Sequence, residues 1–269
     1  MFISSQQGRL SLIRHDRHMR QTAELARQWN SEWFHGPEDH AALVTAMELH
    51  DAGWTAADDA VMYDAQRRRP LNFMFVGLED HIAFYREGYE RALAQNDESG
   101  LLVGMHWIGL YTSRFGLEPD FVYRVPTEEG EALRRATVER TEQEWVAVKQ
   151  RIWSPREKRA AFEDRLWRQY EVFQFLDRLS ITACMNDLSV ASDRTAGEVR
   201  LGNGTYTQPS IALNGDGSIT VDPFPFSDEF TAPIERRWIP DEDYGDHSEL
   251  VAAVDEAPME VLDVRVTAR

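Results

Sequence analysis

Apolar residues recur at spacings of three and four along most of the first 190 residues, the pattern of helices with one buried face. The pattern predicts helices over about residues 16–33, 37–50, 81–94 and 101–110. Two long helices are predicted from about Thr127 to Trp153 and from Pro155 to Leu188. Asp16 is the expected cap of the first helix, and the sequence Ser154-Pro155-Arg156-Glu157 has the form of a capping box.

After about residue 192 the helical period stops, and glycine-rich turns separate short apolar runs at residues 218–221, 234–239 and 261–266. A short helix is predicted near residues 247–257. We therefore predict a mainly α fold, a helical bundle with a small β-rich C-terminal part. The predicted divisions are an N-terminal strand segment (1–13), a helical metal-binding domain (14–190) and a β-rich appendage (191–269). The appendage is expected to be a small antiparallel sheet, with the N-terminal strand as a candidate member.

Several ionisable residues fall on the apolar faces of these predicted helices, where a charge needs a partner. They are His18, His50 with Asp51, His81, His106 and Asp177. Each histidine, taken alone, also fits a residue that is buried and hydrogen-bonded in the core without a metal. His81 further fits a surface position in a first helical turn. His15 lies off the apolar stripe of its helix and is predicted at the surface. Taken together, the six residues indicate a metal site.

The order His, His-Asp, His, His, Asp resembles the HD-domain superfamily of metal-dependent phosphohydrolases, in particular its two-metal members. The chain also resembles the DUF3891 family, which looks like a branch of that superfamily. The motifs that carry this second resemblance are Leu12-Ile13-Arg14-His15-Asp16-Arg17-His18, His50-Asp51-Ala52-Gly53-Trp54, Arg69-Pro70-Leu71-Asn72-Phe73, His106-Trp107-Ile108-Gly109-Leu110-Tyr111 and Pro223-Phe224-Pro225-Phe226.

The superfamily resemblance implies one or two divalent ions, and Asp51 would bridge them where there are two. His18, His50 and Asp177 would complete the coordination of the first ion. His81 and His106 would complete that of the second. Such a mixed nitrogen and oxygen set suits iron, manganese, zinc, cobalt or nickel. A hydroxide between the ions would be the nucleophile on a phosphoester.

The resemblance implies a hydrolase of a small phosphoester or nucleotide, with Asp51 and Arg69 as catalytic candidates. Arg69, Asn72, Trp54 and Trp107 are the candidates for substrate binding. The sequence departs from the two-metal pattern His-Asp-x-Gly-Lys, because Trp54 stands where the lysine near the phosphate is expected. Two alternatives stay open: a di-iron oxygenase acting on a polyol or phosphonate, and a non-catalytic metal or ligand sensor.

The charge and composition of the chain limit the kinds of molecule that it is expected to bind. The formal net charge of −17 argues against a nucleic-acid backbone or an anionic membrane as partner. The sequence contains no apolar run near eighteen residues, and a single cysteine excludes an internal disulfide. We therefore expect a cytoplasmic protein that binds a small molecule, and the sequence leaves its oligomeric state open.

Overall fold

The computed structural model describes residues 1–30, 40–114, 123, 125–195 and 197–269. The helices are α1 (His15–Gln28), α2 (His40–Leu49), α3 (Thr55–Asp59), α4 (Leu78–Gln95), α5 (Asp97–Tyr111), α6 (Glu128–Ile152), α7 (Arg159–Met185) and α8 (His247–Glu256). Short 3-10 turns cover Ala52–Trp54 and Phe73–Phe75. The strands are β1 (Phe2–Gln6), β2 (Arg9–Ile13), β3 (Tyr63–Asp64), β4 (Arg69–Pro70), β5 (Ser192–Thr195), β6 (Val199–Arg200), β7 (Tyr206–Thr207), β8 (Ser210–Leu213), β9 (Ser218–Asp222), β10 (Phe230–Pro240) and β11 (Met259–Ala268).

The main sheet of the described chain has seven strands in the order β1-β2-β10-β11-β9-β8-β5. The N-terminal hairpin joins it through β2, which pairs antiparallel with β10 so that Arg237 lies opposite Leu12. Strands β10 and β11 pair antiparallel over eight residues, whereas β11 and β9 run parallel. The sheet therefore unites the first and last parts of the chain.

The predicted fold class, a mainly α bundle with a small C-terminal β part, is wrong. About 52% of the described residues are helical and 22% are in strands, and the sheet is large rather than a small antiparallel appendage. Strands β10 and β11 contain 11 and 10 residues, although only their most apolar stretches stood out in the sequence. Their polar residues pair along the ladder too, because backbone hydrogen bonding does not require an apolar side chain.

The main hydrophobic core lies between the helices and one face of the sheet. Ala232 and Ile234 of β10 and Val264 of β11 share this core with the buried faces of α1, α2, α5 and α7. On the other face Ile239 packs with Leu250 of α8 in a second, smaller cluster. The division of the chain at residue 190 stays a prediction, although side chains from both sides of it share one core.

Helix boundaries agree with the sequence where a local signal sets them. Helix α6 begins after Thr127, whose hydroxyl accepts a hydrogen bond from the Gly130 amide at 3.1 Å, and it ends before Trp153. The predicted start of α7 at Pro155 is wrong, because residues 155–157 form a turn and the helix begins at Arg159. Asp16 lies within the first turn of α1 and is not its cap. The predicted end of α1 near Trp33 is also wrong, because the helix ends at Gln28 and the backbone leaves the helical conformation at Trp29 (φ −56°, ψ 127°). In the described part of the chain, no helix is long and apolar enough to cross a membrane.

Two glycines allow α4 to lie directly against the end of α2. A Cβ atom on Gly53 would lie 2.0 Å from the backbone oxygen of Phe84, and one on Gly88 would lie 2.8 Å from that of His50. Both distances are far below van der Waals contact, so only glycine fits at this crossing. The crossing determines where His50 and Asp51 lie relative to α4.

We predict that Gly53→Ala lowers the free energy of unfolding by about 3 kcal/mol, since backbone has to move to accommodate the added methyl group. Gly77→Ser is the control: nothing lies within 4 Å of a Cβ atom there, and serine is favoured at this N-cap position of α4. Urea denaturation followed by circular dichroism measures both. Equal stability of the two variants would contradict the packing described here.

Candidate metal centre

Two helices and the turn after α2 bring four of the six predicted ligands together. His18 lies on α1, His50 follows the end of α2, Asp51 is the next residue, and Asp177 lies on α7. The ligand atoms of His18, His50 and Asp51 all lie within 4.8 Å of one another. Asp177 joins them, with its Oδ1 atom 2.8 Å from His18 Nε2 and 3.5 Å from His50 Nε2. All four side chains are buried.

A backbone contact orients the His50 ring. Its Nδ1 atom lies 2.9 Å from the carbonyl oxygen of Met47, which can only accept a hydrogen bond. Nδ1 therefore carries a proton, and the Nε2 atom faces His18 and Asp177. This is the usual way in which proteins fix the tautomer of a histidine that binds metal.

A chain of hydrogen bonds orients the His18 ring in the same way. The Gln21 amide donates from Nε2 to the Ala232 oxygen of β10 at 2.9 Å, and its Oε1 atom accepts from the Ser180 hydroxyl at 2.6 Å. The Ser180 oxygen is therefore left to accept from His18 Nδ1, at 2.8 Å. His18 thus also presents Nε2 to the cluster.

The spacing of the two Nε2 atoms fits a shared ion. They lie 3.2 Å apart. Two imidazole nitrogens bound to one ion at about 2.0–2.1 Å, with an angle of about 90–110° between the bonds, lie about 2.9–3.4 Å apart. Two lone pairs that face each other at this distance repel unless a proton or a metal ion lies between them.

The carboxylates supply negative charge for such an ion. Although burial works in the opposite direction, His18 and His50 hold the pKa of Asp177 well below its usual range, and His50 lowers the pKa of Asp51. The Oδ1 atom of Asp51 is buried and has no hydrogen-bond partner among the described residues. A buried carboxylate oxygen in this position is costly unless a cation contacts it.

A proton and a metal ion compete for the same position on His50. Burial alone would lower the pKa of His50, but Asp51 and Asp177 raise it to about 9. Because Nδ1 is committed to Met47, the exchangeable proton is the one on Nε2. An ion that binds there has to displace it. The residues present therefore fit a divalent ion.

His106 and His81 lie beside the group formed by His18, His50, Asp51 and Asp177, but they are not part of it. His106 Nδ1 is 3.9 Å from Asp177 Oδ2, and burial lowers the pKa of His106 to about 4. His81 Nδ1 lies 2.7 Å from the Tyr111 hydroxyl, and burial lowers the pKa of His81 to about 3. Both rings are therefore neutral at pH 7, the form in which imidazole binds metal. A second ion held by these two residues stays a prediction.

The cluster opens onto a cavity of about 570 Å³. Asp51, Asp177, His81 and His106 all line it. A cavity of this size holds a small organic molecule. Most of the remaining lining is aromatic or aliphatic: Phe2, Phe73, Met74, Phe75, Val76, Leu78, Tyr85, Leu110, Tyr123, Val125, Pro126 and Ile181.

The residues suggested for substrate binding lie elsewhere. Arg69 forms an ion pair with Asp241 and lies 3.6 Å from Asp243, and it is not among the cavity-lining residues. Asn72 caps the following 3-10 turn and donates to the Ile3 oxygen at 2.8 Å. Their roles in substrate binding stay predictions without support from these contacts.

The two tryptophans are packed in the interior. Trp54 is fully buried and stacks on His15, with ring centroids 4.4 Å apart. Trp107 is buried beside Tyr89, with ring centroids 6.3 Å apart. Neither is among the described residues that line the cavity. Trp54 nevertheless lies close to the site, because its ring also meets His81 edge to face at 5.8 Å.

The prediction that His15 lies at the surface is wrong. Its side chain is 1% exposed, and its Nδ1 atom lies 3.0 Å from Asp58 Oδ2. Asp58 also accepts a hydrogen bond from the His15 backbone amide at 2.6 Å. The spacing of three between His15 and His18 was a signal that both could lie on one side of α1. Nothing in the sequence marked Asp58 as the partner of His15.

We predict that His50→Gln lowers the amount of bound metal to about a tenth or less, because it removes a ligand whose orientation the backbone fixes. His247→Gln is the matched control, since His247 is exposed, bonds the backbone oxygens of Ala60 and Val61, and stacks on Tyr63 with ring centroids 6.3 Å apart, none of which is a predicted ligand. Elemental analysis of protein purified without chelator measures both. Equal metal content in the two variants would remove His50 from the site.

The orienting hydrogen bond can be tested separately. We predict that Ser180→Ala weakens metal binding about 10- to 100-fold, because His18 loses the acceptor that fixes its tautomer. Ser99→Ala makes the same chemical change at an equally buried serine, whose hydroxyl donates to the Ala42 oxygen at 2.9 Å. Competition with a chelating dye gives the two dissociation constants. If both variants bind metal equally well, Ser180 does not orient His18.

Comparison with known proteins finds one family and nothing more specific. Neither a curated protein nor a solved structure matches the chain. The resemblance to the HD-domain superfamily therefore stays a prediction. The model of the family described as "Protein of unknown function (DUF3891)" matches residues 1–241. Because this match spans most of the 269 residues, the chain belongs to the DUF3891 family.

Proposed function

We propose that this protein is a metal-dependent hydrolase that acts on a small phosphoester. The observation that carries the proposal is the convergence of His18, His50, Asp51 and Asp177 beside a cavity large enough for a small molecule, into whose lining the two carboxylates extend. Two imidazoles with fixed tautomers and two anionic carboxylates match iron, manganese, zinc, cobalt or nickel. A divalent ion held there would polarise a phosphoryl oxygen and lower the pKa of a bound water to about 7.

The chain itself supplies groups that can handle protons. Asp51 lines the cavity, and its Oδ1 atom, which has no hydrogen-bond partner among the described residues, can hold a proton from the attacking water or contact an ion. Burial and the nearby charges of Asp51 and Asp177 raise the pKa of Tyr85 well above its usual value. Tyr85 therefore keeps its phenolic proton, and it lines the same cavity, where it can donate to a substrate oxygen.

The proposal does not rely on Arg69. No lysine or arginine is among the described residues that line the cavity, and Arg69 pairs with Asp241 instead. The negative charge of a phosphoester would then have to be balanced mainly by the ion or ions. This is a sufficient source of charge, since a bound cation is often the largest local charge in its site.

A second candidate is a di-iron oxygenase. The apolar lining favours it, because a cavity walled by aromatic and aliphatic side chains excludes water from reactive intermediates. The same ligands would serve either chemistry. The two candidates differ in whether O₂ is consumed and in which metals support turnover.

The test is a panel of nucleotides, cyclic dinucleotides, sugar phosphates and nitrophenyl phosphates, incubated anaerobically with each of the five metals. A hydrolase turns over at least one of them without O₂. We expect Asp51→Asn to lower that turnover about a hundredfold or more, because the change removes the charge while keeping the shape.

Arg69→Ala separates two accounts of phosphate binding. Retained turnover would agree with the ion pair between Arg69 and Asp241, whereas a large loss would restore Arg69 as a substrate contact. O₂ uptake on a polyol or phosphonate, with no anaerobic turnover, would reject hydrolysis in favour of the oxygenase. No turnover under either condition would favour a metal or ligand sensor.

A further inference from the structure

The lining of the cavity beside the metal centre combines a few ionisable groups with many apolar side chains. The ionisable groups belong to the cluster and its neighbours: Asp51, Asp177, His81 and His106. Most of the remaining lining comes from other elements, namely β1, the 3-10 turn at Phe73–Phe75, the start of α4 and residues 125–126. Those elements contribute almost only aromatic and aliphatic side chains.

The transition from polar to apolar occurs within one helical turn. Leu110 follows His106 by four residues on α5, and Ile181 follows Asp177 by four residues on α7; all four line the cavity. Residues four apart lie on the same helix face, about 6 Å from each other along the axis. A ligand whose reacting group lies at Asp177 therefore meets aliphatic side chains about one turn farther along.

The apolar wall has few polar atoms to offer. Tyr123 donates its hydroxyl hydrogen to the Val76 oxygen, and the Tyr111 hydroxyl near the wall is engaged with His81. No lysine, arginine, asparagine, glutamine, serine or threonine is among the described residues of the lining. A sugar or a nucleobase placed there would lose hydrogen bonds to water without replacing them, which is unfavourable.

The mouth of the cavity is also apolar. Met74 and Phe75 line it and are 49% and 57% exposed. The Arg67 guanidinium lies over the Phe75 ring, 4.6 Å from its centroid, and covers part of this exposed aromatic side chain. A ligand with an apolar group would cover part of this surface and gain from its burial.

We propose that the substrate is an amphiphile: a compact anionic head such as a phosphomonoester, joined directly to an alkyl or aryl group. The head contacts the metal centre, and the alkyl or aryl group packs against the apolar lining of the cavity. This inference rests on the proposed function for the identity of the head, but the apolar group follows from the lining alone. Nucleotides and sugar phosphates are then poor ligands.

Binding of non-hydrolysable probes tests the proposal without turnover. The probes are butyl-, hexyl- and octylphosphonate and the corresponding alkanols, measured by calorimetry with the metal-loaded wild-type protein. We expect affinity to rise about fourfold for each added methylene group in both series, the value for burying that group in an apolar environment. A flat dependence on chain length in both series, or tighter binding of adenosine monophosphate or glucose phosphate than of octylphosphonate, would overturn the proposal.

Variants locate the binding. Phe75→Ser should weaken octylphosphonate binding about tenfold and butylphosphonate binding less, since the longer chain reaches the mouth. Val190→Ser is the control, because Val190 is also 57% exposed but is not among the cavity-lining residues. Leu110→Asn tests the inner wall. If neither Phe75→Ser nor Leu110→Asn changes the dependence on chain length, the probes bind elsewhere and the proposal is wrong.

The two series distinguish this inference from the proposed function. Alkanols that show the chain-length dependence, together with phosphonates that bind no better than alkanols, would reject the phosphate head while retaining the apolar group. The reverse result, tight phosphonate binding with no dependence on chain length in either series, would retain the phosphate head and reject the amphiphile. A rising dependence in both series, with phosphonates the tighter ligands, supports both proposals.

Discussion

Ionisable groups that are buried away from water need charged or hydrogen-bonding partners. In this protein several such groups are buried together at one site. Two carboxylates and four imidazoles lie buried near the junction of α1, α2, α4, α5 and α7. Burying charges is unfavourable by several kcal/mol per ion unless opposite charges and hydrogen bonds replace the lost water. His18, His50 and Asp177 partly satisfy one another, and Asp51 keeps an oxygen without a described partner. The arrangement is thus electrostatically complete only with a cation or protons at its centre.

The sheet takes part in this arrangement although it supplies no ligand. Strand β10 provides the Ala232 oxygen that fixes the Gln21 amide, which fixes the Ser180 hydroxyl and thereby the His18 tautomer. Three hydrogen bonds therefore connect the middle of the sheet to His18 Nδ1, which leaves Nε2 of the same ring facing the cluster. This connection gives a physical reason why the helices and the seven-stranded sheet share one core. It also implies that a change in the sheet near residue 232 would alter the orientation of His18, and with it the affinity of the proposed metal site, without touching a ligand.

The sequence predicted those features that depend on local information. The apolar stripes of α1 and α7 correctly indicated that His18 and Asp177 point inward, and Thr127 correctly marked the start of α6. Features that depend on distant partners were predicted only in part. The N-terminal strand was correctly considered a candidate member of the sheet, but its partner β10, more than 200 positions away, was not predicted. Nor was the partner of Arg69, which lies 172 residues later at Asp241. No periodicity within a window of one helix or strand contains such information.

The apolar lining of the cavity and the lack of lysine and arginine among its described residues have a common electrostatic explanation. An apolar lining lowers the local dielectric constant, which strengthens every interaction between the ligands, an ion and a reacting group. The same low dielectric makes an additional lysine or arginine beside the substrate unfavourable unless it is fully paired. Trp54, at the position where a lysine was expected, is buried against His15 rather than facing the cavity. If the site holds a cation as proposed, that cation would supply the positive charge, and the remaining part of the proposed substrate would be recognised by shape and apolar contact.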